Sequence, residues 1–164
     1  LTANEINARF HAHNLAVARQ NIEQQENEWD NIAYKTDYDM VIVQIGLNDV
    51  MDDISLTSVR YQALIDNINA TKKPNAIVVA SCMLPCKSRL EGIPIPNGQI
   101  NWLALNDFIF NNVTDVDYHN NYHVDLLDDG NGNLAPQYDC GDGVHENQLG
   151  ANIIIQGFRN IIFQ

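Results

Sequence analysis

The sequence predicts an α/β fold in which a parallel sheet lies between two layers of helices. Strand-like apolar segments alternate with helical segments of about 10–15 residues, which is the pattern of βαβ units. Residues 40–45 and 76–80 are almost entirely apolar, as is typical of strands buried on both faces of a parallel sheet. A length of 164 residues suits one domain. We therefore expect a single three-layer domain over residues 1–164 with a doubly wound sheet.

The first half of the chain is predicted to hold three helices and two strands. Apolar residues four apart predict a short helix over residues 2–13. A short apolar run over 14–18 predicts a strand that leads into a polar turn. Residues 22–33, rich in Glu and Gln with apolar side chains on one side, predict a second helix. The strongest strand signal is 40–45, and apolar residues at helical spacing predict a helix over 57–70.

The second half of the chain is predicted to complete the sheet. Residues 84–98 hold three prolines and two glycines and are predicted to be a loop. Residues 102–113 predict a helix, and the apolar alternation over 122–126 predicts a last strand. A long loop rich in Gly, Asp and Asn and a closing helix are expected over 128–147 and 149–162.

Charge and hydropathy restrict the classes of partner. The chain has 21 acidic and 9 basic residues, for a formal net charge of −12. This acidic excess argues against electrostatic binding to nucleic acid or to an anionic membrane surface. No apolar run approaches the ~20 residues that a membrane span needs, so no membrane span is expected. The sequence does not indicate an oligomeric state.

A first candidate motif directly follows the strongest strand. Ligands of open α/β sheets bind beyond the carboxyl ends of the strands, which directs attention to Gly46-Leu47-Asn48-Asp49. Glycine permits a tight turn there, and the Asn48 amide can donate into the crevice. The alternative is an ordinary strand-end turn, because Gly, Asn and Asp are common turn residues.

A second candidate motif, Asp142-Gly143-Val144-His145, precedes the last predicted helix. With this spacing the Asp142 carboxylate can hold one imidazole N–H of His145. The other ring nitrogen is then free to act as a general base. The alternative is a solvated turn in which Asp142 caps the last helix.

Together the two motifs resemble the SGNH hydrolases, also called GDSL esterases and lipases. Gly46-Leu47-Asn48-Asp49 is similar to the third block of that family, and Asp142-Gly143-Val144-His145 to its fifth. The resemblance covers essentially the whole chain and implies a flavodoxin-like architecture. It implies that His145 and Asp142 are catalytic and that Asn48 belongs to an oxyanion hole. Gly46 and Asp49 would support the Asn48 turn.

The second family block departs from the pattern. Family members often carry Asn-x-Gly-Val-x-Gly, and its last glycine gives a backbone N–H to the oxyanion hole. This chain reads Asn14-Leu15-Ala16-Val17-Ala18-Arg19, so the resemblance assigns that backbone N–H to Arg19. A position that needs positive φ would strain an arginine. The side chain of Arg19 is either a surface charge or a guanidinium that faces the substrate.

The Gly-Asp-Ser block that carries the family's nucleophile is absent from the sequence. The chain begins Leu1-Thr2, which resembles the continuation Gly-Asp-Ser-Leu-Thr of family members. We therefore expect the catalytic serine just before Leu1, on a first strand that is missing from this chain. That strand is central in the family's sheet, so the folded molecule should contain it.

The resemblance implies serine-dependent hydrolysis of a carboxylic ester, without a metal or cofactor. Polar predicted loops favour a small-molecule or glycan ester, and in particular removal of acetyl groups from a carbohydrate. The alternative is a non-catalytic carbohydrate-binding domain that has lost its nucleophile. A disulfide between Cys86 and Cys140 and three reduced cysteines are both open. An extracellular location is slightly favoured, although the sequence does not fix the compartment.

Overall fold

The computed structural model describes residues 13–87, 90 and 98–163. Its helices and strands alternate along the chain as expected for βαβ units. In chain order they are α1 (Ile22–Asn31), a 3-10 turn (Lys35–Asp37), β1 (Met40–Val43), α2 (Ile54–Thr71), β2 (Ile77–Ser81), α3 (Gly98–Asn111), β3 (Tyr118–Asn120), α4 (Tyr122–Leu127) and α5 (Gln148–Ile162).

The three described strands form one parallel sheet in the order β1-β2-β3. Met40 pairs with Ile77 at one end of the β1–β2 ladder, and Val79 pairs with Tyr118 in the β2–β3 ladder. Each strand therefore returns to the sheet after a helical crossover, which is the connection that parallel pairing requires. The carboxyl ends of all three strands lie at the same edge of the sheet.

The apolar interior falls into two clusters. The larger contains side chains from α1, β1, α2, β2 and α3, with Tyr61, Ile65 and Leu105 fully buried. The smaller joins Leu127 of α4 to Ile154 of α5. These clusters give helices a packing surface around the sheet, in agreement with the predicted three-layer α/β fold.

One edge of the sheet is open. Among the described strands none pairs with the outer edge of β1, and Ile42 on that strand is 42% exposed. A groove of about 560 Å³ runs along it, lined by apolar side chains of β1, α2 and α5, which include Val41, Ile68 and Phe158. A sheet truncated at β1 fits a missing first strand.

The prediction of a last strand over residues 122–126 was wrong, because these residues belong to helix α4. The observed strand β3 lies just before them, and the Asn120 side chain accepts the Tyr122 N–H and turns the chain into the helix. His123 and Leu127, four apart, are both fully buried. Tyr122 and Leu126, which suggested alternation, lie on the exposed side.

The other boundaries differ mainly at the helix ends. Residues 14–18 form no strand, and within the described chain they have no strand beside them to pair with. Helix α2 begins earlier than predicted because the Asp53 carboxylate caps it by accepting the Ser55 N–H. The predicted helix over 2–13 and most of the predicted loop over 84–98 lie outside the described residues. No helix in the described ranges has the length and apolar character to cross a membrane.

Candidate active site

Gly46 makes the turn after β1 possible. Its φ is +126°, a conformation that L side chains rarely adopt. A Cβ at this position would lie 2.7 Å from Leu105 Cδ2, so α3 also leaves no space for a side chain. The Asp49 N–H closes the turn by donating to the Gly46 carbonyl at 2.9 Å. Both constraints explain why a glycine stands in the turn after this strand.

Asp49 ties the Gly46 turn to the start of α1. Its buried carboxylate accepts the Ile22 N–H at 3.2 Å and 3.1 Å. Burial raises the pKa of Asp49, and the bond from Ile22 lowers it in part. Thr57 Oγ1 donates to the Asp49 carbonyl at 3.2 Å and connects the same turn to α2. Asp49 is therefore in a position to brace the turn.

The Arg19 segment and the Asn48 loop are held together by a hydrogen bond. Asn48 Nδ2 donates to the Gln20 carbonyl at 2.8 Å. One amide hydrogen is used there and the second remains available, because a primary amide has two. Arg19 has a φ of +70°, the left-handed conformation in which glycine is strongly preferred. Its backbone N–H has no acceptor among the described residues.

Asp142 and His145 form a close pair in a surface loop. Asp142 Oδ2 lies 2.6 Å from His145 Nδ1, while Oδ1 accepts the Val144 and His145 N–H groups at 2.9 Å and 2.8 Å. These bonds, and first the one from the imidazole, hold the pKa of Asp142 well below its usual range. The side chain of His145 is 74% exposed, so its other ring nitrogen faces solvent. The alternative reading of Asp142 as a helix cap was wrong.

The cap of α5 is Asn147, which the sequence analysis did not single out. Its side-chain oxygen accepts the Leu149 and Gly150 N–H groups at 2.9 Å and 3.3 Å. Its Nδ2 donates to the carbonyls of Gln137 and Asp139 at 2.9 Å and 3.2 Å. Asn147 therefore fixes the start of the helix and the base of the loop together. The sequence signal for this role was the position of Asn147, two residues after His145 and just before the predicted helix.

Asp139 shapes the inside of the same loop and was also missed. Its carboxylate accepts the N–H groups of Gly141, Asp142 and Gly143. The Cys140 N–H donates to the His145 carbonyl at 3.0 Å and closes the loop. The sequence signal for such a turn is Asp139-Cys140-Gly141-Asp142-Gly143, since its two glycines permit the positive φ that the turn needs.

The two cysteines considered for a disulfide are unbonded. Cys86 is buried and Cys140 is exposed, and both are free thiols in the structure. Burial raises the pKa of the Cys86 thiol to about 12. Cys140 instead lies beside the Asp142–His145 pair, where one ligand atom from each of the three side chains falls within 4.8 Å of the others. Within the described chain this is the group of side chains that could hold a metal ion.

A polar network lies at the carboxyl ends of β1 and β2. The Cys82 carbonyl accepts from Gln44 Nε2 at 2.9 Å and from His123 Nε2 at 2.8 Å. His123 Nδ1 is buried and has no hydrogen-bond partner among the described residues. Burial lowers the pKa of His123, because it disfavours the charged ring.

None of the described serines is bonded to His145. Ser55 Oγ donates to Asp53, Ser58 lies elsewhere on α2, and Ser81 is buried and accepts from Asn120. Among the described residues, the Asp142–His145 pair therefore stands without a bonded serine.

Solved structures share this fold. A GDSL-like lipase from Bacteroides thetaiotaomicron superposes with a TM-score of 0.69 at 20% identity, over 88% of this chain and 71% of that one. A protein assigned as an acylhydrolase from Bacteroides fragilis gives a TM-score of 0.68 at 15% identity, over 88% and 70%. The OSK domain of Drosophila Oskar gives 0.66 at 15% identity, over 98% and 81%.

These similarities define the class of fold. It is the three-layer, SGNH-hydrolase-like α/β fold of the GDSL-like lipase and the acylhydrolase. No family model matches the chain. No curated protein matches its sequence.

Proposed function

We propose that residues 1–164 form one SGNH-hydrolase-like domain that hydrolyses carboxylic esters with a serine nucleophile. The observation that carries this proposal is the Asp142–His145 pair, joined at 2.6 Å on a loop of a hydrolase-like fold. Such a pair fixes the imidazole tautomer and leaves Nε2 as the base. The hydrolase kind of reaction is that of the lipase and acylhydrolase with the same fold.

In the proposed reaction, a serine Oγ attacks the ester carbonyl carbon while His145 Nε2 takes the serine proton. Asp142 stabilises the imidazolium through its bond to Nδ1–H. The tetrahedral intermediate then collapses as Nε2 returns the proton to the leaving alcohol, which gives an acyl-enzyme. Water attacks the acyl-enzyme by the same route and releases the acid. No step in this sequence calls for a metal or a cofactor.

Three donors would hold the oxyanion. One amide hydrogen of Asn48 and the backbone N–H of Arg19 have no acceptor within the described ranges, and their segments are joined at Gln20, which supports this role. The backbone N–H of the serine would be the third donor. Removing one such donor typically lowers kcat by about 10²–10³-fold.

The serine is proposed to lie at the end of a strand that pairs with the outer edge of β1. The open edge, the exposed Ile42 and the apolar groove of about 560 Å³ support this position. A strand parallel to β1 there would end at the same sheet edge as the Gly46 turn. The nucleophile would thus be delivered beside Asn48.

An acetylated carbohydrate is the proposed substrate. Asn48, Arg19 and His145 are all exposed, and the loops that carry them are polar, which suits a hydrated substrate with a small acyl group. We expect faster hydrolysis of acetylated oligosaccharides than of long-chain esters. A preference for long chains would contradict the substrate assignment and leave the ester hydrolase in place.

The nucleophile is tested by labelling with a fluorophosphonate, which reacts with activated serines. The protein expressed from its complete reading frame should gain the mass of one adduct, mapped to a serine immediately before Leu1. His145→Gln should abolish labelling, and His119→Gln, outside the proposed site, should not. The absence of an adduct on the folded wild-type protein would refute the proposal that it is a serine-dependent esterase.

A non-catalytic carbohydrate-binding domain is the second candidate function. It is favoured by one observation, that none of the described serines is bonded to His145. The OSK domain also shows that the fold occurs in a protein whose name carries no enzymatic term. Binding of a deacetylated glycan without fluorophosphonate labelling would support this candidate.

A further inference from the structure

The Cys140, Asp142 and His145 side chains combine three types of metal ligand in one loop. One ligand atom of each lies within 4.8 Å of the other two, and all three residues are exposed. A thiolate, a carboxylate and an imidazole are the three kinds of side chain that bind Zn²⁺. A site of three protein ligands leaves a fourth position open for water.

The loop holds these ligands in place before any ion arrives. The Cys140 N–H donates to the His145 carbonyl at 3.0 Å, so the first and last ligand residues are paired through the backbone. Asp142 Oδ1 accepts two backbone N–H groups and Oδ2 is 2.6 Å from the imidazole. The Asp139 carboxylate fixes the intervening turn by accepting three N–H groups. An ion would therefore meet little cost of ordering the loop.

We propose that Cys140, Asp142 and His145 bind a thiophilic divalent cation of the Zn²⁺ type, and that the bound cation switches the Asp142–His145 pair off. Binding exchanges the thiol proton of Cys140 for the metal and releases that proton to solvent. The thiolate and the carboxylate then balance the 2+ charge. The net charge of −12 on the chain further favours the approach of a cation.

The inhibitory effect rests on the proposed ester hydrolysis, although the binding site does not. A metal on His145 Nε2 occupies the lone pair that would take the serine proton. A metal on Nδ1 displaces its proton, and the neutral imidazole then carries its hydrogen on Nε2. Either geometry removes the base, and Asp142 is drawn away from orienting the ring.

Binding is tested with the metals alone on the full-length protein, after treatment with a chelator. Co²⁺ should produce the near-ultraviolet charge-transfer absorption of a cobalt–thiolate bond, and Zn²⁺ should abolish it by competition. Cys140→Ser should remove this absorption. It should also weaken Zn²⁺ binding, measured by calorimetry, at least ~10-fold, because loss of a residue that only hydrogen-bonds to a metal ligand already weakens metal binding by this factor. His13→Gln, an exposed histidine outside the loop, is the matched control and should bind like wild type.

The absence of the thiolate absorption, or equal Zn²⁺ binding by wild type and Cys140→Ser, would overturn the site. Ester hydrolysis gives a separate measurement: Zn²⁺ should inhibit the wild type and should inhibit Cys140→Ser only at ~10-fold higher concentration or above. Inhibition of both proteins at the same concentration would overturn the switch. Thiolate-dependent binding to a protein that hydrolyses nothing would uphold the site and refute the proposed enzyme instead.

Discussion

Arg19 occupies a backbone conformation that favours glycine. At φ +70° an L side chain is held in the left-handed region, at a cost of about 1–2 kcal/mol. The segment is fixed there by the Asn48–Gln20 bond and by the Asp49–Ile22 bonds on its carboxyl side. The strain therefore lies at the position whose backbone N–H is proposed to hold the oxyanion.

We expect Arg19→Gly to be more stable than Arg19→Ala by about 1 kcal/mol, because only glycine relieves the positive φ. Urea unfolding of the two variants measures this difference, and equal midpoints would contradict it. Both variants keep the backbone N–H, so kcat should stay within a few-fold of wild type. A KM that rises equally in both would identify a guanidinium that faces the substrate.

Among single residues, the sequence predicted one side-chain contact and one backbone conformation. The spacing of Asp142 and His145 correctly predicted their hydrogen bond, because only two residues separate them and one of these is a glycine that permits a tight turn. The possible strain at Arg19 was also foreseen. Their roles in catalysis remain predictions. Cys140 was considered only as a disulfide partner, because its closeness to His145 depends on the loop closure by Asp139.

At the scale of one element, the start of α5 and the loop that carries Asp142 and His145 depend on the same side chain. The oxygen of Asn147 caps the helix, and its nitrogen holds the Gln137 and Asp139 carbonyls. These are separate functions of one amide, so they can be separated by substitution.

Asn147→Ala should lower the free energy of unfolding by about 2 kcal/mol, since it removes the cap and the loop bonds. Asn147→Ser keeps a capping hydroxyl and should recover about 1 kcal/mol, measured by urea unfolding. Serine is too short to hold the two carbonyls, so both variants should hydrolyse esters ~10-fold or more slowly than wild type. Full activity of Asn147→Ser would show that the loop does not need this bond.

Helix α4 should make the protein sensitive to mild acid. Its His123 is fully buried, and burial lowers the pKa of the ring below the unfolded value of about 6.5. A histidine with a lowered folded-state pKa contributes stability above that unfolded value, and the contribution is lost as the pH falls through it. The free energy of unfolding should therefore decrease between pH ~7 and ~5.

In His123→Phe this part of the pH dependence should disappear, while the Cys82 carbonyl keeps its bond from Gln44. Unfolding curves recorded above pH 5 avoid the titration of most carboxylates. An unchanged slope in His123→Phe would show that the ring is already accessible to protons.

The strands were predicted correctly where the sequence holds a continuous apolar run. Residues 40–45 and 76–80 matched β1 and β2 to within two residues at each end, because short apolar runs of this kind are typical of strands in a parallel sheet. The strand prediction over residues 122–126 was wrong. These residues form a short helix that buries His123 and Leu127 and exposes the apolar side chains of Tyr122 and Leu126. Periodicity over five residues does not distinguish these cases. The pairing of strands was set by partners distant in sequence.

For the whole molecule, the sheet order predicts a gradient of local stability. β2 is central and its side chains Val78, Val79 and Ala80 are fully buried, whereas β3 has three residues at the far edge. Hydrogen exchange should be slowest in β2 and should report global unfolding there, and β3 should exchange through smaller openings. Equal protection of the two strands, measured by NMR with increasing denaturant, would contradict this gradient.

Val79 takes part in both strand ladders, because it is the partner of Ile42 in β1 and of Tyr118 in β3. The two pairings enclose crossovers of similar length, and the entropy of closing a loop changes only slowly with its length. Neither crossover therefore has an advantage from chain statistics alone. The order in which the sheet assembles is then decided by side-chain contacts, and the transition state for folding should be sensitive to changes at this shared position.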